Sequence, residues 1–112
     1  MRQTLNALLA ALTITGIHAR DASAQSYPSR PITMVVPFAA GGGTDTLARI
    51  VAEGMKESLK QPVIVENLPG AAGSVALAKV SRAPPDGYTV VFGNWATHVV
   101  GPATRAAPYD VV

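Results

Sequence analysis

An α/β fold with three parallel strands is predicted by two features of this sequence. Three short β-branched runs, at residues 32–36, 62–66 and 88–92, alternate with two stretches of helical character. The first two runs each end in a glycine-bearing turn that opens the following helix. A strand–helix–strand–helix–strand order with right-handed crossovers makes all three strands parallel.

Each element has its own local cause. Ser26-Tyr27-Pro28-Ser29-Arg30-Pro31 is an extended lead-in, because its two prolines fix φ and disfavour helix. Ile32-Thr33-Met34-Val35-Val36 is almost continuously apolar, which suits a strand buried on both faces. Pro37 ends it, and Phe38-Ala39-Ala40-Gly41-Gly42-Gly43-Thr44-Asp45 forms the turn into the first helix. That helix is expected over residues 45–60. Leu47, Ile50, Val51, Met55 and Leu59 share one face, and Arg49, Glu53, Lys56, Glu57 and Lys60 mark the other. Thr44 or Asp45 can cap its first turn.

The pattern then repeats. Residues 62–66 form a second strand, residues 67–74 a second glycine-bearing turn, and residues 75–83 a short alanine-rich helix. Pro84-Pro85-Asp86-Gly87 is a turn by residue type, since proline presets φ and glycine accepts positive φ. Residues 88–92 are the third strand, closed by Gly93, and residues 94–112 show no clear periodicity.

Composition removes several classes of function. The chain has 112 residues, 48% of them apolar and 14% charged, with nine Lys+Arg against seven Asp+Glu. A length of this size bounds the chain to one small domain. It is too apolar for a disordered charged tail. A net charge of +2 without a basic cluster argues against nucleic acid as a partner. With no cysteine, disulfides, thiolate metal sites, cysteine nucleophiles and a lipid-anchored leader are excluded.

The first 24 residues read as a secretory signal peptide. Arg2 supplies a positive start, and residues 5–17 are a 13-residue uncharged, mainly apolar run. Ala22-Ser23-Ala24 is a small-x-small site for cleavage before Gln25. The apolar run is too short to cross a bilayer, which needs roughly 20 residues. The mature chain, residues 25–112, is therefore expected in the periplasm.

In open parallel α/β sheets, ligands bind outside the carboxyl ends of the strands. Those ends are residues 38–45, 67–74 and 93–98. A glycine-rich turn at a helix N-terminus offers unpaired N–H groups and the positive end of a dipole, so it suits an anion. Nucleotide motifs fail here. Thr46 stands where the dinucleotide pattern needs its last glycine, and no Gly-Lys-Ser/Thr follows. A carboxylate fits better, with one charge and two acceptor oxygens. Asp45 has two open roles, capping the helix or accepting a hydrogen bond from a ligand amine or water. The triple glycine can equally be a plain tight turn.

Catalytic groups are sparse. His98, Ser74 and the carboxylates of Asp45 and Glu66 could be assembled into a triad, but no Gly-x-Ser-x-Gly elbow exposes the serine. No HExxH-type spacing offers a metal site. No enzyme, metal or cofactor is expected.

Tyr27-Pro28-Ser29-Arg30-Pro31-Ile32, followed by Val35-Val36-Pro37-Phe38-Ala39-Ala40-Gly41-Gly42-Gly43-Thr44-Asp45, resembles the start of the Bug-type extracytoplasmic solute receptors. These are the substrate-binding proteins of tripartite tricarboxylate transporters. Gln61-Pro62-Val63, Glu66-Asn67, Pro69-Gly70-Ala71, Pro85-Asp86-Gly87-Tyr88-Thr89 and Thr97-His98 fall in register with that family. Leu68 departs from it, standing where an arginine is usual, and so does Gly101-Pro102-Ala103-Thr104-Arg105.

The resemblance implies a two-lobed periplasmic binding protein fold, of which residues 25–112 would form an incomplete N-terminal lobe. It implies a receptor for a small organic carboxylate, with the permease subunits of the transporter as membrane partner. Phe38, Ala40, Gly41, Gly42, Gly43 and Asp45 match the family's first ligand loop, and Asn94, Thr97 and His98 its second contact region. A single small domain cannot supply both lobes. A truncated product or an incomplete gene model is therefore expected, with weak binding by one wall alone. The competing expectation is a small secreted module that self-associates through exposed apolar faces.

Overall fold

A computed structural model of the chain describes residues 26–104. The signal-peptide reading of residues 1–24 and the tail beyond Thr104 lie outside the described residues.

Strand β1 (Ile32–Val36) is the centre of a three-stranded sheet of order β2-β1-β3. Strand β2 (Val63–Asn67) and strand β3 (Thr89–Val91) both run parallel to it. The register pairs Ile32 with Val63 and Val36 with Asn67 on one side, and Thr33 with Thr89 on the other. Further hydrogen bonds extend the ladders, from Leu68 N–H to Val36 O at 2.8 Å and from Phe92 N–H to Val35 O at 2.9 Å. The apolar run of β1 is explained by this central place, since four of its five residues are buried.

Helix α1 (Gly43–Leu59) links β1 to β2, and helix α2 (Ser74–Ser81) links β2 to β3. The right-handed crossovers run in opposite directions, from the centre out to β2 and from β2 back across β1 to β3, and so put the two helices on opposite faces of the sheet. Met34 and Val36 pack with Ala48 and Ala52 of α1, joined by Phe38, Met55, Val63, Val65, Val90 and Phe92. Side chains alternate along a strand. Val35 therefore turns to the other face, which α2 covers with its buried Ala76 and Leu77.

The helix starts earlier than the residue pattern suggests, and a different stripe is buried. Gly42 occupies the N-cap position with no side-chain cap, so neither Thr44 nor Asp45 is the capping residue. Asp45, Ala48 and Ala52 face the sheet, while Leu47 and Ile50 are 58% and 64% exposed and Val51 is also exposed. Small side chains one turn apart let the helix axis approach the sheet closely. Of the expected apolar stripe, Leu47, Ile50 and Val51 are left on the flank, while Met55 packs against the core.

A clasp fixes the lead-in. The Tyr27 hydroxyl donates to Gly87 O at 2.8 Å, and Ser29 N–H donates to the Tyr88 hydroxyl oxygen at 2.9 Å. The Arg30 guanidinium lies 3.9 Å above the Tyr88 ring and pairs with Asp86 at 3.0 Å.

After β3 the chain is not irregular. A π-helical turn, Ala96–Val100, runs into a short helix α3 (Gly101–Thr104). The cause is Asn94, whose Oδ1 accepts the N–H groups of Ala96 at 3.0 Å and Thr97 at 3.4 Å, as an N-cap does.

Ala48→Leu is expected to lower stability by about 1–3 kcal/mol through overpacking of the helix–sheet seam. Ile50→Glu should change it by no more than about 0.5 kcal/mol. Urea unfolding midpoints of the two variants check this, and the reverse order would mean that the helix presents its larger residues to the sheet.

Candidate functional site

The site is built from the three segments that leave the carboxyl ends of the strands. In the first, Pro37 is buried and Phe38 half-buried, and residues 39–43 are exposed. Gly41 sits at φ +85, a conformation open to glycine and strained for other residues. Gly42 lies at φ −78 and ψ 168, ordinary extended backbone, just before the first turn of α1.

This turn is held by a buried carboxylate. Asp45, only 3% exposed, accepts from Gly41 N–H at 2.8 Å and from Arg49 Nε at 3.0 Å through Oδ2. Its Oδ1 accepts from Asn67 Nδ2 at 2.9 Å. Asn67 also donates to Phe38 O at 3.1 Å and accepts from Arg49 Nη2 at 3.1 Å. The hydrogen bond from Arg49, then the Gly41 amide and Asn67, hold the Asp45 carboxyl down to about 2, against the opposing effect of burial. The N–H of Gly41 is thus committed to Asp45. The amides of Gly42, Gly43 and Thr44 have no acceptor among the described residues.

The second segment follows β2 and has an unusual backbone. Gly70, Ala71, Ala72 and Gly73 all have positive φ, at 140, 44, 54 and 89. Left-handed alanines cost roughly 1–2 kcal/mol each. Gly73 is buried, and a Cβ placed there would lie 2.6 Å from Thr97 Cγ2 and 3.2 Å from Pro37 Cβ. That close approach joins the second segment to the other two.

In the third segment Thr97 is buried to 2% exposure. Its hydroxyl donates to Asn94 O at 3.0 Å and accepts from Asn94 N–H at 3.1 Å. The His98 Nδ1 lies 2.9 Å from the same hydroxyl.

Together the three segments wall an open cleft of about 380 Å³ at the end of the sheet. Phe38 and Thr97 line it. Ala40, Gly41, Gly42, Gly43, Asp45, Asn94 and His98 do not, but belong to the two segments that do. Pro69, Gly70, Ala72 and Gly73 also line the cleft, as do Val100, Gly101 and Thr104. Sequence reasoning places residues 67–74 at a strand end without singling out any of them as site residues. The proline–glycine spacing of that turn is the signal that could have found them. No charged side chain lines this cleft among the described residues.

The groups considered for a triad are occupied separately. Ser74 Oγ donates to Ala71 O at 2.9 Å, Glu66 pairs with Lys79, and His98 rests on Thr97. Among the described residues no cluster of three His, Asp or Glu could hold a metal ion, and no helix is long and apolar enough to cross a membrane.

The model of the tripartite tricarboxylate transporter family receptor matches residues 47–112. The chain is 50% identical over 84 residues to a UPF0065 protein of Bordetella pertussis, covering 75% of this chain and 26% of that protein. It therefore spans about a quarter of that relative's length. Among solved structures, one of a periplasmic transporter is 45% identical with a TM-score of 0.73, covering 77% of this chain and 29% of the other. MatC from Rhodopseudomonas palustris with bound malate is 42% identical with a TM-score of 0.72, covering 76% and 29%.

The lowered Asp45 value has a definite sign for stability. Its contribution is complete above the ordinary carboxyl value of 3.8 and is lost as pH falls through that range to about 2. Wild-type stability should thus fall between about pH 4 and pH 2, and Asp45→Asn should show a smaller fall over the same window. Chemical unfolding across that pH range measures both slopes, and equal slopes would count against this role for Asp45.

Proposed function

The chain belongs to the tripartite tricarboxylate transporter receptor family, and from that premise we propose that it forms one wall of a periplasmic solute-binding receptor for a small organic carboxylate. The carrying observation is the cleft at the strand ends, beside a helix start whose Gly42, Gly43 and Thr44 amides are unpaired among the described residues. Such amides and the positive end of the α1 dipole complement a carboxylate. Phe38, Ala39 and Ala96 offer an apolar surface for the ligand's carbon skeleton. Gly41 and Asp45 shape the turn, while Asn94, Thr97 and His98 hold the facing segment for direct or water-bridged contacts. No covalent step is needed, so the proposed role is binding and transfer without catalysis.

In this reading residues 1–24 are the export leader, cut after Ala24, and residues 25–112 belong to the N-terminal lobe. Permease subunits in the membrane are the partner to which the ligand passes. Malate is the first ligand to try, because a similar protein carries it.

A second reading is favoured by one observation, the exposed stripe of Leu47, Ile50 and Val51 on α1. In it the chain is a secreted module that self-associates through this face. Sedimentation without ligand distinguishes the two: under the receptor reading the chain stays monomeric as concentration rises. Under the second reading it assembles, and Ile50→Glu reverses the assembly.

For the receptor reading, Gly42→Val is the direct test. A Cβ at Gly42 meets only Ala39 O at an ordinary 3.5 Å, so the fold should persist while branched methyls cover the amides. Malate titration followed by amide NMR should move the resonances of residues 42–44 in the wild type. Affinity should fall at least about tenfold in Gly42→Val, the loss of roughly one charge-assisted hydrogen bond. Equal affinity in both would remove the turn from the site.

A further inference from the structure

We infer that Asn67 and Arg49, acting through Asp45, are positioning residues that set the shape of the turn at residues 38–42 for an incoming anion. The inference rests on the receptor reading for its ligand but stands on the geometry of the turn itself. Asp45, Arg49 and Asn67 form a closed ring of hydrogen bonds, each touching both others. The ring holds the turn at two points, the Phe38 carbonyl and the Gly41 amide.

Those two attachments determine which main-chain groups are left over. In a trans peptide the C=O and the following N–H point in opposite directions. Drawing Phe38 O towards Asn67 therefore turns the Ala39 N–H away from it. Ala39 lines the cleft, and its amide has no acceptor among the described residues. Binding Gly41 N–H to Asp45 removes one donor and holds Gly41 in its positive-φ conformation, which leads the chain directly into Gly42 and the free amides of α1. The ring thus leaves the Ala39 amide free at the cleft wall and the amides of the helix start free beside it, and it withdraws the Phe38 carbonyl, whose oxygen would repel a carboxylate.

Asn67 suits this place for a chemical reason. Its amide donates twice, to Phe38 O and Asp45, and accepts once, from Arg49. An aspartate would set an acceptor against two acceptors. The charged and polar groups facing Asp45 are Arg49 from its own helix, Asn67 from β2 and the Gly41 amide from the turn. Nearby charges are engaged elsewhere, Glu66 with Lys79 and Glu53 with Lys56. The ring should accordingly keep its form across the neutral and mildly acid range.

The test is Asn67→Asp in the full chain, followed by amide NMR with and without malate as the probe. At pH 7 the resonances of residues 39–43 should shift in the free variant while those of the strand residues 33–35 stay in place. Malate affinity should fall at least about tenfold relative to wild type, the loss of roughly one hydrogen bond to a charged group. The ratio of the two affinities should close as the pH is lowered and the introduced carboxyl regains a proton to donate. A loss from general destabilisation would not recover on acidification. Turn resonances unchanged at pH 7 overturn the inference whether or not malate binds. So does an affinity loss of the same size at every pH. A wild-type chain that ignores malate counts against the receptor reading alone, because the free-state resonances still judge the ring. If Asn67→Asp does not fold, Arg49→Met carries the same measurement, since Arg49 is half-exposed and its loss leaves no cavity. Shifted turn resonances in that variant support the ring, and unshifted ones overturn it.

Discussion

One buried carboxylate joins the parts of this fold that have to meet. Asp45 lies where the end of β2, the turn after β1 and the first turn of α1 converge, and it accepts a hydrogen bond from each of Asn67, Gly41 and Arg49. A buried charge without partners would cost several kcal/mol and take up a proton instead. With both oxygens satisfied, the same burial makes the arrangement specific. Any displacement of the turn or of β2 would leave an ionised oxygen short of a donor. The turn is exposed and glycine-rich, yet this constraint gives it one shape.

The sheet order supplies the second half of the architecture. Because β1 is central, the chain leaves it towards β2 and later returns on its other side as β3. The connections diverge at that point and a crevice opens between them, as in other open α/β sheets. The segment after β2 closes the crevice from the side through Gly73, which fits against Pro37 and Thr97 where no Cβ could be accommodated. Hydrogen bonding at one end and close main-chain packing at the other define the same cleft.

Much of this could be read from the sequence because it follows from local pattern. The three β-branched runs, the two glycine turns and the parallel βαβαβ order all appear in the fold within a few residues. Three features could not be read in that way. Helical periodicity finds the apolar stripe of Leu47, Ile50 and Val51, but helix–sheet distance favours Ala48 and Ala52, and an acidic residue can join the buried stripe only when distant partners are known. The capped turn after Asn94 is hidden among prolines and glycines, although an asparagine three residues before a threonine is its visible signal. The left-handed backbone of Ala71 and Ala72 has no residue-level signature at all, since alanine ordinarily avoids it and tertiary packing has to impose it.

The charge pattern around the cleft bears on how a receptor could both hold and release an anion. Arg30, Arg49, Lys56 and Lys79 are each paired with a carboxylate of this chain, and none of the four lines the cleft. A lysine or arginine placed there would form a full ion pair in a closing, water-poor space, where charge attraction is strong and release correspondingly slow. Main-chain amides and a helix dipole offer only partial charges, each of the order of 1 kcal/mol. Several such contacts can match a carboxylate in direction without matching it in charge. Recognition would then depend on the amides being aimed together, and that places the burden on the turn's shape more than on any side chain in the cleft. A neutral wall held by the buried Asp45 and its partners is consistent with that division: the formal charges fix the framework, and neutral groups would be left to meet a ligand.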